Sequence, residues 1–211
     1  GNVLTNDTDP DNDVLTVSAV NGSGTNVGTS VTGSNGGTFT IASNGAYSFN
    51  PGAAFDDLAV GETRTTTVQY TTTDSQGGFS TTTVTIEVDG QNDGPTSTAI
   101  GNRSSVDGAT VSLNVSSRFS DVDATDVLTF AASGLPTGLS INATTGVISG
   151  TIANNASVTA PYSVTVTATD GSGANTSRIF TWNVTNPAPT ASNDSATFAI
   201  NTTGGGNVLT N

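Results

Sequence analysis

Apolar side chains in this sequence recur at every second position over short runs, and no stretch sustains the i, i+3, i+4, i+7 spacing of an amphipathic helix. The segments 65–88 (TTTVQYTTTDSQGGFSTTTVTIEV) and 162–184 (YSVTVTATDGSGANTSRIFTWNV) each place two alternating runs around a short Asp, Gly and Ser turn. Alternation at Val164, Val166 and Ala168 sends one side of a ribbon into a core and leaves the Thr side in water. DSQGG and DGSG read as hairpin turns, with Gly supplying positive φ. Trp182 alternates with Phe180 and Val184, which assigns it to a core rather than to a sugar-stacking platform. The Thr triplets 65–67, 71–73 and 81–83 read as solvated strand faces rather than an ice- or sugar-binding surface. The pattern predicts an all-β fold.

The long hairpins close two halves of similar plan. Each half opens with an Asp-rich turn ahead of a Leu-Thr strand, DTDPDNDVLTV at 7–17 and SDVDATDVLTF at 120–130. The Pro-containing segments 89–95 (DGQNDGP) and 186–189 (NPAP) read as short, stiff linkers, because proline cannot donate to a ladder and holds its predecessor extended. Two tandem Ig/cadherin-like Greek-key β-sandwiches in a linear array follow, with domains at 1–93 and 94–186, each near the usual ~100-residue size. GNVLTN occurs at Gly1–Asn6 and again at Gly206–Asn211, 205 positions later. We read this as one period of a tandem array rather than a cloning artefact. Residues 187–211 are then a linker and the first strand of the next repeat, and the domain at 1–93 is expected to lack its own first strand.

Composition narrows the chemistry. Seventeen acids face four bases, Arg64, Arg103, Arg118 and Arg178, for a net charge of −13, and His, Cys, Lys and Met are absent. Such a charge repels nucleic acid and anionic membranes, and it suits metal cations and salt. Without Cys there are neither disulfides nor thiolate sites, so small β domains need another staple. Without His there is no Ser-His-Asp triad, and general bases near neutral pH are scarce. A paired-carboxylate glycosidase stays conceivable, but the acids fall in turns with metal-like spacing, so the chain reads as no enzyme. No leader-like segment and no apolar run of about 18 residues appears, which predicts no direct membrane insertion.

Asp7, Asp9, Asp11 and Asp13 place four carboxylates within seven residues, and Asp121, Asp123 and Asp126 repeat the device. Unneutralised they repel one another, whereas hard Ca2+ takes six to eight oxygens from such a set. The alternative is a solvated acidic turn. An EF-hand does not fit, since the twelfth position counted from Asp7 is Ser18 rather than Glu.

NVLTNDTDPDNDVLTV, GTFTIASNGAYSFNP (37–51), Phe55, Leu58, Gly61-Glu62, Tyr70 and Asp74 resemble a VCBS-type cadherin-like repeat of large bacterial RTX surface adhesins. GLPTGLSINATTGVISGT (134–151), Tyr162-Ser163-Val164 and Ala168-Thr169-Asp170 resemble the bacterial Ig-like, dystroglycan-type cadherin family. DVDATD departs from that family's DxDGD-like turn. The resemblance implies an extracellular, cell-surface extender of a biofilm-type adhesin, with Ca2+ between domains. It implies one site from Asp89, Asn92, Asp93, Asp121, Asp123 and Asp170, with Glu62 added by the preceding domain. It implies a second from Asp74 with Asp7, Asp9, Asp11 and Asp13, and a third begun by Asp107, Asn186 and Asp194. Asp74 and Asp170 are equally ordinary turn residues.

The expected function is a calcium-stiffened spacer whose partners are neighbouring repeats of the same chain. The alternative is a carbohydrate- or protein-binding Ig-like module, which calls for an exposed aromatic platform. Residues 190–200 are also expected to add a strand to domain 1 of another molecule, head to tail.

Overall fold

Alternation decides which side chains the strands bury. The computed structural model describes residues 1–193, 195, 197, 199, 203 and 204. The first half contributes β1 (Thr16–Val20), β2 (Ser30–Thr32), β3 (Thr38–Ile41), β4 (Tyr47–Asn50), β5 (Thr63–Thr73) and β6 (Phe79–Asp89). The second contributes β7 (Thr96–Ser97), β8 (Arg103–Val106), β9 (Thr110–Asn114), β10 (Phe119–Ser120), β11 (Thr129–Ser133), β12 (Leu139–Ile141), β13 (Val147–Thr151), β14 (Tyr162–Thr169) and β15 (Asn175–Thr185). The described helices are short 3-10 turns, so the all-β expectation holds.

In the first half a sheet of order β1-β5-β6 faces one of order β2-β3-β4. In the second half a sheet of order β11-β14-β15-β8 faces one of order β12-β13-β9, with β7 and β10 paired beside them. Each pair of sheets encloses its own apolar core. One core contains Val3, Val17, Val20, Phe39, Ile41, Val68 and Tyr70; the other is built around Ile148, Val164, Val166, Ala168, Phe180 and Trp182. Trp182 is 1% exposed, and its indole N–H donates to Ser105 Oγ at 3.1 Å, so the ring fills the core with its one polar atom satisfied.

The hairpins sit at the expected turns. β5 and β6 pair from Thr63↔Asp89 to Thr73↔Phe79, and β14 and β15 from Tyr162↔Trp182 to Thr169↔Asn175. The Thr triplets differ from expectation in one respect. Thr66 and Thr72 share the inward face of β5 with Val68 and Tyr70 and are buried. Alternation overrides polarity there, because the Thr66 hydroxyl donates to the Gly36 carbonyl at 2.9 Å and that of Thr72 to Ser80 at 3.4 Å.

The two halves also differ at one sheet edge. In the second, β8 lies parallel to β15, with Trp182↔Arg103 through Thr185↔Val106. In the first, β6 ends its sheet with no strand beyond it among the described residues.

Candidate metal centre

Between the two cores the chain leaves β6 through Gly90. A Cβ at this position would collide with the Leu58 and Ala59 carbonyl oxygens, so glycine is required by close backbone approach. The Gly90 amide donates to the Glu62 carbonyl at 2.8 Å, and Glu62 Oε2 accepts the Ala59 amide at 3.1 Å. Four residues on from Gly90, a Cβ at Gly94 would meet the Ala174 methyl at 3.4 Å, which sets the linker against the β14–β15 hairpin.

Three segments meet here. The linker presents Asn92, whose side-chain amide donates to Asp170 Oδ2 at 3.0 Å. The hairpin presents Asp170, 6% exposed, whose Oδ1 accepts the amides of Ser172 (3.0 Å) and Ala174 (2.8 Å). The acidic turn ahead of β11 presents Asp121, Asp123 and Asp126. Asp123 is 2% exposed; its Oδ2 accepts the Asp93 amide at 2.9 Å, and its own amide donates to Asp121 Oδ1 at 3.2 Å. Asp121, Asp126 and Asp170 each bring a carboxylate oxygen within 4.8 Å of the other two, the one such acidic group among the described residues.

What these groups lack is as informative as what they have. Asn92 Oδ1, Asp121 Oδ2, Asp123 Oδ1 and Asp126 Oδ2 are buried side-chain oxygens without a hydrogen-bond partner, and they are the only such side-chain atoms among the described residues. Each leaves a desolvated acceptor unmatched, which costs stability, and more where the group is charged. Burial, then the charges of Asp170, Asp123 and Asp121, push the Asp126 carboxyl above its ordinary range. Asp170 moves the other way, held below it first by the Asn92 amide. The donor set is oxygen throughout, without His or Cys, which fits a hard cation such as Ca2+.

The remaining expected residues are placed elsewhere. Asp89 ends β6 and is exposed, and Asp93 is exposed, entering the cluster through its backbone amide. At the N-terminal pole, Asp7, Asp9 and Asp74 line one open cleft of about 400 Å³. Each has at least one carboxylate oxygen engaged by protein. Asp9 Oδ1 accepts the Asp11 and Asp13 amides at 2.9 and 3.1 Å, and Asp74 Oδ1 accepts those of Gln76 and Gly78, both at 2.8 Å. The Tyr70 hydroxyl lies 3.0 Å from the Val3 carbonyl and 3.1 Å from Asp7 Oδ2; burial and the Asp7 carboxylate push its pKa up to about 12. At the far pole, Asp107 is buried and takes the Ser157 amide (2.9 Å) and hydroxyl (2.5 Å), while Asn186 is exposed on a shallow groove beside Ser157. Asp194 lies outside the described residues.

Two features escaped the sequence reading. Arg64 grips Asp57 through two side-chain bonds (3.0 and 2.7 Å), which lowers the Asp57 pKa, and the Asp57 carbonyl accepts the Ala124 amide at 3.1 Å. This bond joins the first half directly to the acidic turn of the second. The other is Phe79, 80% exposed at the rim of the N-terminal cleft.

Residues 1–90 match the family model of the bacterial cadherin-like domain, and residues 94–185 match that described as "Putative Ig domain". No curated protein matches the chain. Among solved structures, protocadherin gamma B2 extracellular cadherin domains 1–5 is 16% identical, with 72% of this chain and 32% of that one covered and a TM-score of 0.50. The protocadherin gammaB7 EC3-6 cis-dimer is 16% identical over 70% of this chain and 38% of that one (TM-score 0.46). Mouse cadherin-23 EC22-24 is 14% identical over 71% and 50% (TM-score 0.44). The chain thus spans no more than half the length of any of the three. At such identity the first likeness speaks for the fold alone.

Proposed function

We propose that this chain, in which a bacterial cadherin-like domain is followed by an Ig domain, is a calcium-stiffened spacer of a tandem-repeat surface adhesin, built from units at 1–93 and 94–186. Cadherin-like and Ig-like domains are typically non-enzymatic, usually extracellular structural modules, and cadherin-like domains generally bind calcium. The observation behind the reading is the set of four partnerless buried oxygens between the two cores, one from the linker and three from the acidic turn.

Asn92, Asp121, Asp123, Asp126 and Asp170 would hold the ion. A bound Ca2+ supplies the positive charge that lets these carboxylates remain ionised side by side. Linker, turn and hairpin then share one ligand set, so rotation about the linker breaks ligand contacts. Without the ion, the bonds from Asn92 to Asp170, Asp93 to Asp123 and Ala124 to Asp57 still place the segments, but like charge loosens them. Any ligand that favours the ordered state stabilises it by mass action. Calcium replaced by EDTA is expected to lower the melting temperature and to shorten and broaden the distance distribution in small-angle scattering. If neither changes, the calcium-strut reading falls.

A second reading, a carbohydrate- or protein-binding module, is favoured by Phe79 alone. A single ring provides little stacking area, since Trp182 is buried and the Tyr162 hydroxyl is tied to Ala156 at 2.8 Å. A specific glycan-array hit lost in Phe79→Ala would reverse this ranking.

A further inference from the structure

We infer that the outer edge of β6 is an acceptor for a parallel strand, and that residues 196–199 of a second copy of this chain fill it. The argument rests on register and is independent of any metal. The two long hairpins correspond in register at a shift of 96 residues, since Asp170 and Asp74 both accept the amides two and four positions on and both open a hairpin. Val84, Ile86 and Val88 therefore occupy the positions of Phe180, Trp182 and Val184.

Those three in β15 are buried, and parallel β8 pairs along Trp182 to Thr185; their counterparts in β6 are only half-buried. An open, apolar-backed edge of this kind is a template for a further strand.

The chain contains the matching segment. Val115 donates its amide to Gly146 (3.0 Å) beside the Asn114↔Val147 pair, and Val3 donates to Gly45 (2.8 Å) beside the Asn2↔Ala46 pair. Asn114-Val115 thus stands where Asn2-Val3 stands. The repeat of GNVLTN makes Asn207 the equivalent of Asn2 in sequence. Counting back without a gap, β8 (Arg103–Val106) falls on residues 196–199, Ala-Thr-Phe-Ala, and Ser105 falls on Phe198. The β15–β8 register then pairs Ile86 with Ala196 and Val88 with Phe198.

Residues 196–199 of the same copy cannot reach this edge. From Thr185 to Ala196 is 11 steps, about 40 Å at full extension. Returning along the 11 residues of β15 alone takes about 36 Å, and the β6 edge lies beyond the linker. A parallel strand must also start at Ile86 and run toward Asp89. A tail arriving from the Asp89 end would overshoot and turn back.

The test uses the full chain in calcium, with enough salt to screen the like charge. Light scattering from micromolar to millimolar chain is expected to show head-to-tail oligomers that grow with concentration. Amide exchange at Thr83–Asp89 should slow as they form. Phe198→Asp should abolish association and, at dilutions where the parent chain is monomeric, leave the melting temperature unchanged. A chain carrying residues 187–205 again ahead of Gly1 should stay monomeric and melt higher, its edge being filled internally. Association that survives Phe198→Asp overturns the proposal, as does a full chain monomeric at every concentration. Association lost in EDTA yet indifferent to Phe198 would assign the contact to shared metal instead, and would also overturn it.

Discussion

The acidic turns at Asp7–Asp13 and Asp121–Asp126 both precede a Leu-Thr strand, and each sits near the Asp of a long hairpin, Asp74 in one half and Asp170 in the other. Their surroundings separate them. The first opens on a cleft, where Asp7 takes the Tyr70 hydroxyl and one oxygen each of Asp9 and Asp74 takes turn amides. The second is covered by the linker and retains three carboxylate oxygens with no partner, besides the one on Asn92. Under the same shift of 96, Tyr70 corresponds to Val166, so the second turn has no hydroxyl to lean on. Clustered acids become a candidate ion site only when neighbouring chain both hides them and leaves them unsatisfied.

The comparison can be broken at several points. The largest effect is expected from Asp121→Asn combined with Asp126→Asn. Calorimetric titration should lose the tightest calcium-binding step, with affinity falling by more than the roughly 10–100-fold typical of an outer-shell change. Retention of that step would relocate the strong site to the N-terminal cleft.

Next is Tyr70→Phe, which removes the hydroxyl beside Val3 and Asp7. Chemical denaturation should show a loss of about 1–3 kcal/mol, the same with and without calcium, because this contact is internal to the first half. A calcium-dependent loss would mean that the N-terminal turn is itself an ion site within a single unit.

The third test depends on pH in EDTA. The folded pKa of Asp126 lies above its unfolded value, so its ionisation opposes folding, and stability falls as pH rises out of the ordinary carboxylate range through that raised value. Asp170, depressed when folded, contributes stability at higher pH that is lost as pH falls through its lowered value. Asp126→Asn should therefore melt higher than the parent chain, by a margin that widens as pH rises out of the ordinary carboxylate range through the raised value. In excess calcium the order should reverse. Identical order in both buffers would remove Asp126 from the site. The smallest effect is expected from Asp9→Asn, with little change in the tightest calcium-binding step.

Much of this was legible in the sequence because periodicity and turn chemistry are local. Val164, Val166, Ala168 and Trp182 point inward as alternation requires, and the residues named for the junction include Asn92, Asp121, Asp123 and Asp170, which the fold draws together with Asp126 of the same acidic turn. The hidden parts depend on groups every residue possesses. Nothing marks the Asp57 carbonyl as the acceptor for Ala124, although Arg64, one of only four bases and seven positions from Asp57, was a clue to the pair beneath it. Glu62 illustrates the converse. Its side chain fits a ligand pattern, yet one oxygen is engaged by the Ala59 amide in its own loop. Thr66 and Thr72 were misread because a hydroxyl with a carbonyl in reach tolerates burial.

The parallel pairing of β8 with β15 bears on how the second half responds to force. The chain enters through β7 and β8 and leaves from the end of β15, so tension pulls the start of one strand and the end of its parallel neighbour in opposite directions. That is shear loading. The Arg103–Val106 ladder resists as a set and cannot unzip one bond at a time. A parallel strand seated on β6 would give the first half the same clamp, and where the strand comes from a second molecule, the joint between molecules would be loaded in the same mechanical mode as a domain interior.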